Sequence, residues 1–301
     1  MKIGVDVGGS HVGIGIVNQN GKITYKNEKD YPLREKDMSK IVMETIIGLI
    51  KELFNENEIQ INEIESIGIA IPGTVSNGVI IKAENLGIQN LEIEKELRKI
   101  FDTPINLQND AKCAAIAEKE FGSLKEYDDS MFLIVGTGVG GAVFFNGKLL
   151  KPKRYSGFEV GHMAIRTNGQ KCGCGRIGCF EIYGSMRRFK EKLQEEFNLP
   201  DIDGKKIKEF MIQNKDNEKL NSIIDKYTDD LATGITNLIN IFEPEAVSLG
   251  GSFAYYEDIL LDRLEKRIIE KGELFNREGE IPKFVVAELK NDAGIIGAAM
   301  I

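Results

Sequence analysis

His162, Cys172, Cys174 and Cys179 are the residues whose spacing points most directly to chemistry. Zinc takes four soft or borderline ligands in a closed tetrahedron, and three thiolates with one imidazole complete such a site with no open position. A metal held this way is structural. The chain has two histidines, and one stands ten residues ahead of the first clustered cysteine, within reach across a loop. Cys113 stands apart from the other three cysteines, which crowd into eight residues of glycine-rich sequence. That distribution does not suit a disulfide framework and favours reduced thiolates in a cytosolic protein.

Two carboxylates, Glu159 and Glu181, flank the cysteine cluster and are not needed to complete its ligand set. Each can accept several hydrogen bonds, which suits a polyhydroxyl ligand, and each is equally read as a solvated surface glutamate. Asp6-Val-Gly8-Gly9-Ser10 and Gly136-Thr137-Gly138-Val-Gly140-Gly141 both place glycines between strand-like runs. There, backbone N–H groups can converge on phosphate oxygens, and Asp6 can hold Mg²⁺ through water. A glycine hairpin alone is more often a tight turn. Two of them, with Gly250-Gly251 after a third strand, point to a nucleotide site. Asn109-Asp110 follows a strand and opens a helix, where Asp110 serves either as an N-cap or as a general base. Cys113 reads as a small buried hydrophobe and His11 as a turn residue.

The elements that must position these groups follow from periodicity. Lys2 to Val17 reads as a hairpin around Gly8-Gly9, with a further strand at 22–27 and an amphipathic helix over 39–55. Ile67 to Ile71 is a buried strand stopped by Pro72-Gly73. A helix over 93–101, a strand over 105–107 and a helix over 111–121 with Asp110 at its N-cap come next. The opening pattern then returns, with strands at 131–135 and 140–145 around Gly136-Thr137-Gly138. This repeat predicts a duplicated α/β architecture of two lobes with a cleft between them. Helices dominate from Phe189, including a long one over 217–241, and a strand over 246–249 ends in Gly250-Gly251. The Gly/Ala-rich end, 291–301, reads as a helix packed closely on its neighbour. The expected division is 1–115 with 290–301 in one lobe, and 116–289 in the other.

With 301 residues, 42% of them hydrophobic and 29% charged, the chain is long enough for two cores and far from a disordered composition. A net charge of −8 without basic runs argues against nucleic-acid or anionic membrane partners. The start is unlike a signal peptide or a membrane span, so a cytoplasmic location is expected.

Together these motifs resemble the ROK group of bacterial sugar kinases, within the actin-like, hexokinase-like ATPases. The resemblance runs nearly end to end, through Asp6-Val-Gly-Gly-Ser, Ile71-Pro-Gly-Thr74, Asn85-Leu-Gly, Asn109-Asp110-Ala, the Gly136 turn, Glu159-Val-Gly-His162, the Cys172 to Glu181 knot, Leu249-Gly-Gly and Ala293-Gly-Ile-Ile-Gly-Ala. It implies two RNase H-like lobes closing over ATP and a sugar, with structural Zn²⁺ and Mg²⁺ bound with ATP. Asp110 would take the proton from the attacking sugar hydroxyl and Asn109 would grip its neighbour. Glu159, His162 and Glu181 would bind the other end of the sugar, with His162 touching zinc through one ring nitrogen and sugar through the other. Gly73, Thr74 and Asn85 would lie near the sugar, and Gly8, Gly9, Ser10, Gly136, Thr137, Gly138, Gly250 and Gly251 along the ATP path.

The resemblance also implies a homodimer formed through helices of the second lobe. Glucose phosphorylated at its 6-hydroxyl is the expected reaction. The alternatives are an N-acetylmannosamine or N-acetylglucosamine kinase and a fructo- or mannokinase. A sugar-responsive repressor of the same family carries a DNA-binding domain ahead of the first strand, and here that strand begins at Ile3. One departure stands out: many relatives carry a small Gly-Ala-Gly run before Glu-x-Gly-His, where this chain has Tyr155-Ser-Gly-Phe158. Phe158 therefore bears on which sugar fits.

Overall fold

A computed structural model of the chain describes residues 1–32, 37–152, 157–200, 203–271, 274 and 280–301. Tyr155 and Ser156 lie outside the described residues. In chain order, the first half comprises β1 (Lys2–Val7), β2 (His11–Val17), β3 (Ile23–Asp30), α1 (Met38–Glu56), β4 (Ser66–Ile71), β5 (Thr74–Ser76), β6 (Val79–Ala83), β7 (Ile88–Leu91), α2 (Ile93–Arg98), β8 (Ile105–Asn109) and α3 (Asp110–Phe121). The second comprises β9 (Ser130–Val135), β10 (Val139–Phe145), β11 (Lys148–Leu149), α4 (Phe180–Gly184), α5 (Met186–Phe197), α6 (Gly204–Gln213), α7 (Glu218–Phe242), β12 (Ala246–Gly250), α8 (Glu257–Lys271), β13 (Lys283–Val286) and α9 (Ala293–Ala299).

The chain folds as two compact units, one of residues 1–126, 149–157 and 288–301, the other of 127–148 and 158–287. A boundary at 115/116 would cut α3 in half. The helix stays whole in the first unit because its Cys113 turn packs on α9: a Cβ at Gly297 would come within 1.7 Å of the Cys113 carbonyl oxygen.

Each unit is built on a five-stranded mixed sheet with the same topology. In the first the order is β3-β2-β1-β4-β8, and in the second β11-β10-β9-β12-β13. In both, the first strand of the unit lies at the centre, antiparallel to the second and parallel to the fourth. The repeat read from two glycine turns is therefore a repeat of whole sheets.

The first core is formed where the inward faces of β1, β2 and β4 (Ile3, Val5, Ile14, Ile67, Ile69) meet the apolar stripe of α1 (Val42, Ile46, Leu49, Leu53). Asp37 caps α1 by accepting from the Lys40 N–H at 3.1 Å. Where α9 packs on the sheet the strands carry glycine, because a Cβ at Gly4 of β1 or Gly68 of β4 would sit 1.9 or 1.7 Å from the carbonyl oxygens of Ile295 and Ala298 of α9. The second core gathers Met131, Leu133 and Val135 of β9 against Phe180 of α4 and Leu231 and Ile235 of α7. Among the described residues, no helix is long and apolar enough to cross a membrane.

Candidate functional site

In the first unit the predicted residues gather at the carboxyl ends of the parallel strands β1, β4 and β8, the edge of an open α/β sheet where ligands bind. Asp6 pairs in register with Ala70, and Ile71 with Asn109. Asn109, the last residue of β8, is the true N-cap of α3: its side-chain oxygen accepts from the Lys112 N–H at 3.3 Å. Asp110 is thus the first helical residue, not the cap expected from sequence. Asn109 also donates to the Gly73 carbonyl at 3.1 Å and to Asp110 Oδ1 at 2.9 Å. Asp110 Oδ1 takes a second bond from the Ala111 N–H at 2.8 Å. No other described residue donates to Oδ2. The carboxylate is therefore oriented through one oxygen and open at the other.

Burial raises the pKa of Asp110 against these hydrogen bonds. Asp6 is raised from 3.8 to about 6, first by burial and then by the charge of Asp110. Its carboxylate accepts no hydrogen bond from the described residues and lies against α9, where a Cβ at Gly294 would meet it at 2.1 Å. An oxygen pair left without protein donors beside a second carboxylate suits a hydrated Mg²⁺. Thr74 opens β5 directly after Gly73, whose φ of 103° favours glycine. Asn85 sits exposed in a turn at Glu84–Leu86 and joins none of these bonds.

The turn between β1 and β2 is closed by the Gly8 N–H on the His11 carbonyl at 2.9 Å. Tyr31 holds it: its hydroxyl donates to the Gly8 carbonyl and its N–H to the Ser10 carbonyl at 3.0 Å. Burial pushes the Tyr31 hydroxyl up to about 12, so it remains a donor. The N–H groups of Gly9 and Ser10 have no partner among the described residues.

In the second unit Gly136-Thr137-Gly138 follows β9 and Gly250-Gly251 ends β12, the parallel neighbour of β9. A Cβ at Gly136 would lie 3.9 Å from the Ser252 nitrogen, so the two glycine segments adjoin. The Gly136 N–H closes the turn on the Gly138 carbonyl at 3.0 Å.

The knot is a tight loop pinned by bridges between Ala164 and Cys179 and between Lys171 and Ile177. Its four ligand atoms all lie within 4.8 Å of one another. Cys172 Sγ stands 3.8 Å from His162 Nδ1, and Cys174 Sγ 3.7 Å from Cys179 Sγ. Metal–sulfur bonds of about 2.3 Å in a tetrahedron give edges of about 3.8 Å. The donor set and its spacing fit Zn²⁺ through Nδ1, leaving Nε2 of His162 for another partner. Burial pushes the Cys179 thiol up to about 12, a cost that metal binding to the thiolate offsets.

Glu159 is exposed just ahead of the 3₁₀ turn Val160–His162 and makes no side-chain hydrogen bond among the described residues. Glu181 is engaged: Oε2 accepts from the Val139 N–H at 3.1 Å. Phe158 has a φ of 57°, but its ring turns into its own unit's core, 5.3 Å from the Phe242 ring, so it anchors the segment before Glu159.

Three residues escaped the sequence reading. Glu118 is fully buried and accepts from Ser123 N and Oγ, Glu288 N and Leu289 N at 2.8–3.2 Å. A carboxylate on the small apolar stripe Ala111, Ala114, Ala115 was the available signal. Lys112, 3% exposed, donates to the Gly157 carbonyl at 2.7 Å. Arg187 bonds the Gly136 turn.

Duplicated sheets with a glycine turn after the first strand of each define the actin-like ATPase fold, and the second unit adds a Cys3His cluster consistent with a zinc knot. The ROK family model matches residues 2–301, and the chain belongs to the ROK family. It is 30% identical to the glucokinase of Thermotoga maritima over 323 aligned positions, covering 99% of this chain and 96% of that one. A xylose repressor of Caldicellulosiruptor bescii is 26% identical, with 98% of this chain matching 76% of the repressor. Among solved structures, a ROK hexokinase from Thermus thermophilus superposes with a TM-score of 0.82 at 27% identity, covering 100% of this chain and 98% of that one. The relatives thus include both sugar kinases and a regulator.

Proposed function

We propose that the chain transfers the γ-phosphoryl group of ATP to a hexose hydroxyl, with the 6-hydroxyl of glucose as the first choice. The observation that carries this reading is Asp110: a carboxylate fixed through Oδ1, open at Oδ2, and raised in pKa by burial. A base of that kind accepts a proton as the hydroxyl attacks, and a pKa nearer the working pH suits the task.

In this reading Asn109 orients a neighbouring hydroxyl, and Gly73, Thr74 and Asn85 line the sugar. Glu159, Nε2 of His162 and the free oxygen of Glu181 take further hydroxyls. The unpaired N–H groups of Gly9, Ser10, Thr137 and Gly138 supply phosphate donors, with Gly8, Gly136, Gly250 and Gly251 allowing close approach. Asp6 would hold a hydrated Mg²⁺, which would supply charge neutralisation at the transferred phosphoryl group. His162, Cys172, Cys174 and Cys179 would hold Zn²⁺, which would fix His162 and the loop that carries the cysteines. A homodimer in the cytosol belongs to the same reading.

N-acetylglucosamine, N-acetylmannosamine, fructose and mannose are the alternative acceptors. The Phe158 ring packs against Phe242 within its own unit. ADP release, measured with purified protein, Mg-ATP and each sugar in turn, tests the proposal. Sugar-dependent ADP formation with one of them is expected. Sugar binding without any ADP would support a regulator instead and sink the kinase.

A further inference from the structure

The two glycine turns are shaped by one device. In the second unit, the backbone N–H of Arg187 donates to the Gly136 carbonyl at 3.1 Å, and its Nε donates to the Thr137 carbonyl at 3.1 Å. Glu181 Oε2 holds the Val139 N–H from the same α4–α5 segment. A Cβ at residue 138 would meet that carboxylate at 2.3 Å and push it from its place beside the turn. The carbonyls of the turn are thereby engaged, and the Thr137 and Gly138 N–H groups have no partner among the described residues. In the first unit Tyr31 engages the carbonyls of Gly8 and Ser10, and the Gly9 and Ser10 N–H groups are the ones left without partners.

A run of backbone N–H groups binds an anion only when the intervening carbonyl oxygens, which repel it, are turned aside. We propose that Arg187 and Tyr31 are positioning residues for the two phosphate turns, holding carbonyls so that paired N–H groups face a nucleotide phosphate. Neither residue is expected to touch the nucleotide. The proposal rests on the kinase reading for its ligand and on the hydrogen bonds alone for the shape of the turns.

Glu181 gives the second turn a further link. It stands two residues after Cys179, a knot ligand, so one short helix ties the knot to the turn.

Arg187→Ala removes the Nε bond and keeps the backbone one, while Tyr31→Phe removes the hydroxyl and keeps the ring. Arg187 is partly exposed, so its loss leaves the core untouched. Two measurements test the proposal. Amide exchange of a peptide spanning residues 134–141, in protein without nucleotide, is expected to quicken about tenfold in Arg187→Ala, as the loss of one charged hydrogen bond implies. Equilibrium binding of Mg-ADP is expected to weaken about tenfold in each variant, with the sugar KM unchanged.

Unchanged exchange in Arg187→Ala would overturn the clamp whatever the protein binds. Unchanged Mg-ADP affinity, or a parallel loss of sugar affinity and melting temperature, would overturn the positioning role. Wild-type protein that binds no nucleotide would sink the kinase reading, while the exchange result would still judge the clamp.

Discussion

Asp6 carries an expectation that can be worked through. Its carboxyl is raised from 3.8 to about 6 by burial and by the neighbouring Asp110 charge. An unfolded chain leaves it near 3.8, so the folded protein binds this proton more tightly than the unfolded one. The group therefore adds stability that is fully present below about pH 4 and is lost as pH rises through about 6. The difference corresponds to about 3 kcal/mol at full strength, and the solvent that Asp6 still meets reduces it to about 1–3 kcal/mol.

Asp6→Asn cannot ionise, fills nearly the same space beside Gly294, and breaks no side-chain hydrogen bond. It should be more stable than the wild type by about 1–3 kcal/mol at pH 8, with the advantage fading below pH 6 and gone near pH 4. Urea unfolding at a series of pH values, without Mg²⁺ or nucleotide, reads this directly. A difference that is flat with pH, or a variant less stable at pH 8, would refute the reasoning.

The knot should carry about one zinc per chain in freshly purified protein. Cys179→Ser should lose the metal and lower the melting temperature, and zinc well under one per chain in the wild type would count against the site. Gly68→Ala should lower stability by about 3 kcal/mol, because a Cβ 1.7 Å from the Ala298 carbonyl forces α9 off the sheet. Its urea midpoint should fall at constant slope, and an unchanged midpoint would contradict the close packing.

Much of this was legible in the residues. The knot was, because thiolate and imidazole ligands have few other uses at that spacing. So was the duplication, because a strand, a glycine turn and a strand recur at residues 2–17 and 131–145. The α3 cap was misplaced by one residue, since Asn and Asp cap equally well and only the observed bond from Lys112 N to Asn109 separates them. Glu118, Lys112 and Arg187 were not found because their roles lie in contacts with distant backbone carbonyls and N–H groups. Periodicity records which face a residue occupies and says nothing of which backbone atom meets it. Glu181 shows the same limit, since sequence gave it a ligand-binding role and the structure adds its bond to Val139.

The central claim is that Asp110 is the base of a phosphoryl transfer, and Asp110→Asn tests it most directly. The amide fills the same space and can still accept from Asn109 and Ala111, but it cannot take a proton. Turnover with Mg-ATP and the preferred sugar should fall about 10²- to 10⁴-fold, with melting temperature and substrate binding retained. Turnover within tenfold of the wild type would contradict the account.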